Sequence, residues 1–161
     1  MLIPKIVTLT PKILVGINQQ MSLTNNTTPQ LWQKFMPIRK LIKHTVGNDL
    51  YSLQQYNGVL SLSNFSPDNI FTKWAAVEVE QCDEIPENME VLNLKGGLYA
   101  VFLYKGLPAN YAPTFRYIFG TWFPQSEYEV DNRPHFEVLG EKYSNTSPDS
   151  EEEIWIPIKL K

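Results

Sequence analysis

A single cysteine, Cys82, occurs among the 161 residues of this chain. That excludes an internal disulfide framework and any multi-cysteine metal site. Histidine is almost as scarce: His44 and His135 lie far apart, and no HxH, HxxxH or CxxC spacing is present. No metal and no other cofactor is therefore expected. Concentrated positive charge is also missing. The 14 Lys and Arg are scattered among 17 Asp and Glu, for a formal net charge of −3. Without a basic stripe to displace counterions from phosphates, direct nucleic-acid binding is disfavoured. No stretch approaches the ~20 apolar residues that span a bilayer. The opening MLIPKIVTLTP lacks the charged leader, apolar centre and small-residue cleavage site of a secretory signal. No membrane association and a cytoplasmic location are the expectations. GxSxG, P-loop and GxGxxG motifs are absent as well, so no catalytic residue is assigned by motif.

What is present is an ordinary globular composition with an aromatic surplus. Hydrophobic residues make up 43% of the chain and aromatics 12%, with four Trp, eight Tyr and eight Phe. One domain of this length buries one substantial core. The remaining flat side chains suit a pocket, and the mild acidic excess fits cationic partners better than anionic ones.

Along the chain, residues 3–17 (IPKIVTLTPKILVGI) read as strand interrupted by Pro4 and Pro11. Thr28 and Pro29 predict a helix start, as N-cap and first helical residue. Leu31, Trp32, Phe35, Ile38, Leu41 and Ile42 then follow at helical spacing, with a kink or break expected at Pro37. Residues 49–56 and 71–80 read as strands, and the acidic QCDEIPENME as a linker. The same order recurs: strands at 89–94 and 97–105, a helix at 110–122 stopped by Pro124, a strand at 133–138, an exposed loop at 141–152 and a closing strand at 154–160. The chain is thus read as a single α+β domain, 1–161, built from a tandem βαββ repeat with pseudo-repeats at about 1–80 and 89–161. Its antiparallel sheet is expected to carry two helices on one face and a ligand groove on the other.

The closing strand, EIWIPIKL, sets Ile154, Ile156 and Ile158 on one face and Glu153, Trp155 and Pro157 on the other. If the isoleucines face the helices, Glu153 and Trp155 enter the groove. The matching strand of the first half offers Trp74 and Glu78 in the same way. A carboxylate beside aromatic rings is a physical recipe for a lipophilic cation, each good cation–π contact contributing ~0.5–2 kcal/mol. Read blandly, Glu78 and Glu153 simply stand on a solvated sheet face. Trp122, at a helix end, and Tyr104, on an aromatic-rich strand, are further candidates. The helical aromatics Trp32, Phe35, Tyr111, Phe115 and Phe119 read as core, and Asp149, Glu151 and Glu152 as a solvated loop.

These segments together resemble the GyrI-like small-molecule-binding domains, which also form the effector-binding half of some AraC-type and MerR-type bacterial regulators. The resemblance rests on PKILVGI, LWQKF, KWAAVEVE, GGLYAVFLYKG, FGTWFPQSEY, HFEVLGEKY and EIWIPIK, in that order and across nearly the whole chain. It implies a ligand groove between the repeats, with the family's acidic residue before the closing strand at Glu153 and its helix-end Trp at Trp122. It also maps a Phe-Glu…Tyr stretch onto Phe136, Glu137 and Tyr143. It further implies a stand-alone module, since the regulators carry their DNA-binding segment ahead of this domain.

Three readings follow. The first is a binding protein for lipophilic, cationic small molecules, with Glu153, Trp155, Trp74, Trp122, Glu78, Tyr104 and Phe136 lining its site. The second is a hydrolase of reactive electrophiles with Glu153 as general base. The third is a protein–protein inhibitor or regulator with an occluded groove and a protein partner.

Overall fold

The break at Pro11 divides the first apolar segment into two strands, β1 (Lys5–Leu9) and β2 (Lys12–Met21), in a computed structural model that describes residues 2–161. A proline has no N–H to give a ladder, so the chain turns there. Helix α1 (Thr28–Phe35) is capped at Thr27, one residue before the expected cap. Asn26 rather than a threonine satisfies a free amide, its Oδ1 accepting from the Thr28 N–H at 3.0 Å. The helix ends ahead of Pro37, and only a 3₁₀ turn, Arg39–Leu41, continues it.

Strands β3 (Leu50–Gln55), β4 (Phe71–Val79), β5 (Glu90–Leu94) and β6 (Gly97–Lys105) follow. Helix α2 (Ala112–Tyr117) runs on through a π-helical stretch, Ile118–Trp122, and a last turn, Phe123–Gln125. Pro124 therefore does not stop the helix as expected. It occupies the first turn of that last segment, where a missing N–H costs least. The chain leaves the helix at Ser126, whose N–H donates to the carbonyls of Trp122 and Phe123 at 3.0 and 3.2 Å. Strand β7 (Tyr128–Val130) was not expected, whereas β8 (His135–Leu139) was. Strand β9 (Glu151–Leu160) begins three residues earlier than the apolar pattern suggested.

All pairings are antiparallel, in the order β1-β6-β9-β8-β3-β4-β2-β5, with β7 added beside β9. The order is symmetric about the β8–β3 pair: β8 answers to β3, β9 to β4, β6 to β2 and β1 to β5. Registers carry the correspondence to residues. Ser52 sits opposite Glu137 at the centre. Ser52 also pairs with Ala75, and Glu137 with Ile154. Ala75 and Ile154 are therefore equivalent positions, and two residues earlier so are Lys73 and Glu152.

Helix α1 packs Leu31 and Phe35 over β2 and β4. The second helical segment packs Ile118, Phe119 and Phe123 over β6 and β9, against Phe102, Ile154, Ile156 and Ile158. A third cluster fills the other face, around Leu14, Leu53, Trp74, Tyr99 and Phe136. Leu9 and Leu94 belong to it although they come from opposite ends of the strand order, so the sheet curls around this face. Each helix covers its own half, and the front of β3 and β8 between them is left without a helix.

Candidate ligand-binding site

The uncovered front of β3 and β8 is the floor of a cavity of about 2230 Å³, larger than the ~300–1,000 Å³ of ordinary ligand sites. Trp32 of α1 and Met36 at its C-terminal end border it on one side and Phe115 and Phe119 of the second helical segment on the other. The α+β architecture with both helices on one face is the one read from the sequence. The groove, however, shares the helices' face, because the two helices stand apart over the central strands.

Strand alternation then decides which side chains line it. Glu137 of β8 and Glu152 of β9 face the cavity with Ser52, Gln54, Lys73 and His135. Gln54 Nε2 donates to both Glu137 carboxylate oxygens, at 3.3 and 3.1 Å, and so fixes that group. Burial, reinforced by the Glu137 charge and opposed by Lys73, raises the Glu152 carboxyl to about 7. Lys73, 6% exposed, is pushed below its usual value by burial, against the pull of Glu137 and Glu152. Burial holds His135 at about 3, so it is neutral. Its ring lies edge-on to Tyr56 with centroids 5.0 Å apart. The Tyr56 and Tyr111 phenols are raised by burial and then by the Glu137 charge, so both are hydrogen-bonding neutral groups at ordinary pH. At the exposed rim, Arg39 and Arg116 are balanced by Asp49 and Glu141. The floor is not balanced. Two carboxyls share it with one ammonium.

Several candidates from the sequence are placed elsewhere. Glu153 is exposed on the opposite face, where its carboxylate accepts from the Trp155 indole N–H at 3.1 Å. The face containing Ile154 is the cavity face, so the residue on that side, Glu152, takes the place expected for Glu153. Glu78 lies behind the sheet too, paired with Lys12 at 3.1 Å and accepting from the Tyr51 hydroxyl at 3.4 Å. Trp74 is buried there with its indole N–H on Gln55 Oε1 at 2.8 Å. Trp122 is held in the core of the second half, edge-on to Phe102 and stacked near Tyr128. Tyr104 donates its hydroxyl to the Leu107 carbonyl and packs on Tyr111 without lining the cavity. Phe136 and Trp155 border the cavity, but their rings stack on each other behind the sheet, centroids 5.2 Å apart. Glu137 and Tyr143, from the Phe-Glu…Tyr stretch, do line it.

Sequence reading set Glu152 in a solvated loop, left Tyr56 open and did not single out Lys73. The signal for Glu152 was in the text: it extends the Ile154, Ile156, Ile158 alternation by one step. Ending the strand at its last apolar residue hid it. Lys73 extends the Ala75, Val77, Val79 alternation of β4 by one step in the same way, whereas Tyr56 carries no comparable signal.

No helix among the described residues is long and apolar enough to cross a membrane, and no group of three or more His, Cys, Asp or Glu among them is placed to hold a metal ion. The transcriptional regulator BrlR of Pseudomonas aeruginosa is 26% identical over 145 residues, covering 89% of this chain and 51% of the regulator. The chain thus spans about half the length of that curated relative. Among solved structures, SAV2435 bound to tetraphenylphosphonium matches with a TM-score of 0.70 at 20% identity, over 98% of this chain and 94% of that one. A candidate transcription regulation protein from Staphylococcus aureus MU50 matches with a TM-score of 0.70 at 21% identity, over 99% of each chain. At those identities the two structures bear on the fold. The family model of the GyrI-like small molecule binding domain matches residues 3–159, and this chain belongs to that family.

Proposed function

We propose that the cavity captures lipophilic cations, as one domain of two repeats (about 1–80 and 89–161) working in the cytoplasm. The observation that carries this reading is the pair of carboxyls, Glu137 and Glu152, on the floor of an aromatic-walled cavity. A cation entering there exchanges water for ring faces and for carboxylate charge in a low-dielectric setting. Trp32, Tyr56, Tyr111 and Phe115 supply flat surface, and the excess volume admits bulky compounds. The tetraphenylphosphonium bound by the structural neighbour SAV2435 is a ligand of this kind.

The test is a titration with tetraphenylphosphonium and with neutral triphenylphosphine oxide, read by tryptophan fluorescence. The cation should quench saturably and the neutral compound bind more weakly. Glu152→Gln should weaken the cation by about tenfold, ~1.4 kcal/mol, and Glu137→Gln by a similar factor. Glu153→Gln should change nothing. Equal affinity for both compounds, or an effect confined to Glu153→Gln, would refute the assignment. A hydrolase reading draws on the same near-neutral Glu152 carboxyl, a value suited to a general base. Catalytic turnover of an alkylating electrophile that is lost in Glu152→Gln would favour it.

A further inference from the structure

Lys73 is out of place in a site built only for cations. It stands on the cavity wall, 6% exposed, in the field of Glu137 and Glu152, yet among the described residues no hydrogen bond or close ion pair holds its ammonium. Its neighbour across the strand, Gln54, turns its Nε2 donor to Glu137, and its Oε1 does not accept from the lysine. Among the described residues its Nζ is not sealed from solvent, so the ammonium opens on the cavity, an observation that points to a ligand atom there. The register adds a second one. Lys73 and Glu152 occupy equivalent positions in the two halves, three strand spacings apart on β4 and β9. One half thus presents a cation to the cavity where the other presents a carboxyl. The floor is polarised, negative at Glu152 and Glu137 and positive at Lys73.

We infer that the ligand of this cavity is zwitterionic: a lipophilic body with a cationic group for Glu137 and Glu152 and an anionic acceptor for Lys73. The inference rests on the cation reading above and narrows it. A simple monocation satisfies the carboxyls but leaves the Lys73 ammonium unpaired and repels it. A carboxylate on the same ligand converts that repulsion into a charge-assisted hydrogen bond. The lysine acts here as a selectivity element, since a group left unpaired by the wrong ligand discriminates against it.

A matched pair of dyes separates the two cases. Rhodamine 123 is a methyl ester with a net positive charge, and rhodamine 110 is the corresponding free acid, a zwitterion. Affinities are measured by fluorescence polarisation for the wild type, Lys73→Met and Glu152→Gln. The wild type should prefer rhodamine 110 by at least about fivefold. Lys73→Met should lose that preference and bind rhodamine 123 more tightly than the wild type does. A wild type that binds rhodamine 123 but shows no preference for the acid overturns the inference and leaves the cation reading intact. So does a Lys73→Met protein with an unchanged ratio. Failure of either dye to bind, with tetraphenylphosphonium also unbound, overturns the cation reading and this inference with it. Should Lys73→Met not fold, the wild-type ratio decides on its own.

Discussion

At the scale of single residues, the two faces of the sheet give neighbouring side chains opposite duties. Phe136 is 1% exposed and packs on Trp155, Tyr51 and Tyr99 behind the sheet, while its neighbours His135 and Glu137 face the cavity. Phe136→Ala leaves a hole in that cluster and should destabilise the protein by about 3–5 kcal/mol in urea denaturation, with cation affinity unchanged in the folded protein. A stability loss below about 1 kcal/mol would show that the aromatic cluster is not a packed core. Arg133 belongs to the same face. Its guanidinium lies 4.8 Å from the Tyr99 ring centroid and donates to the carbonyls of Leu98 and Ile158 at 2.6 and 3.1 Å, tying the loop before β8 to β6 and β9.

At the scale of elements, β2 and β4 form the longest pairing of the first half, with nine residue pairs from Ile13–Val79 to Met21–Phe71. Gly16 lies in the middle of it. A methyl group there would come within 2.0 Å of the Ala75 carbonyl oxygen and 2.7 Å of the Ala76 Cα. Both obstacles are backbone, so no side chain can move aside. Gly16→Ala should therefore cost about 3 kcal/mol or more, read as a lowered Tm with loss of β-sheet circular dichroism. A variant as stable as the wild type would mean the two strands are spaced more widely. Strand β9 makes the same point about extent. Its first residues, Glu151 and Glu152, pair with Lys105 and Tyr104, and that pairing, not apolar character, brings Glu152 to the cavity.

At the scale of the whole molecule, the buried ionisable groups set a pH profile. Glu152 rises from 4.5 to about 7 on folding, so the native state holds its proton more tightly. The stability it contributes is full below pH 4.5 and is lost as the pH climbs through 7. His135 falls from 6.5 to about 3, so its contribution is present above pH 6.5 and lost as the pH drops towards 3. Between about 4.5 and 6.5 the two slopes are opposite and equal in sense of one proton each. Urea midpoints should thus form a plateau across that range, falling on the acid side and again between about pH 6.5 and 7. His135→Gln should remove the acid limb contributed by that imidazole, and Glu152→Gln the neutral one. A steady change through the plateau would contradict these assignments. Ligand binding shares the linkage. The groups facing Glu152 are Glu137, Lys73, Tyr104, Tyr111 and Tyr143, and the phenols stay neutral below pH 10. Only the ionised Glu152 attracts a cation fully, so tetraphenylphosphonium affinity should rise from about pH 6 to about pH 8 and level off above.

The order of elements follows from the sequence because it rests on local physics. Proline breaks, helical spacing and the alternation of Ile154, Ile156 and Ile158 act over a few residues and need no distant partner. The order of segments likewise carries the resemblance to the GyrI-like domains. Which face of each strand meets the ligand is a different kind of fact. It depends on where two helices, some 80 residues apart in the chain, come to rest over one curled sheet. Alternation splits Glu152 from Glu153 but cannot say which of them the helices leave room for. Nor can it bring Lys73, Glu137 and Glu152 to one floor, because their shared position comes from three long-range registers, β4 on β3, β3 on β8 and β8 on β9. Burial within that assembly is what moves their protons, so the electrostatic character of the site belongs to the tertiary structure alone.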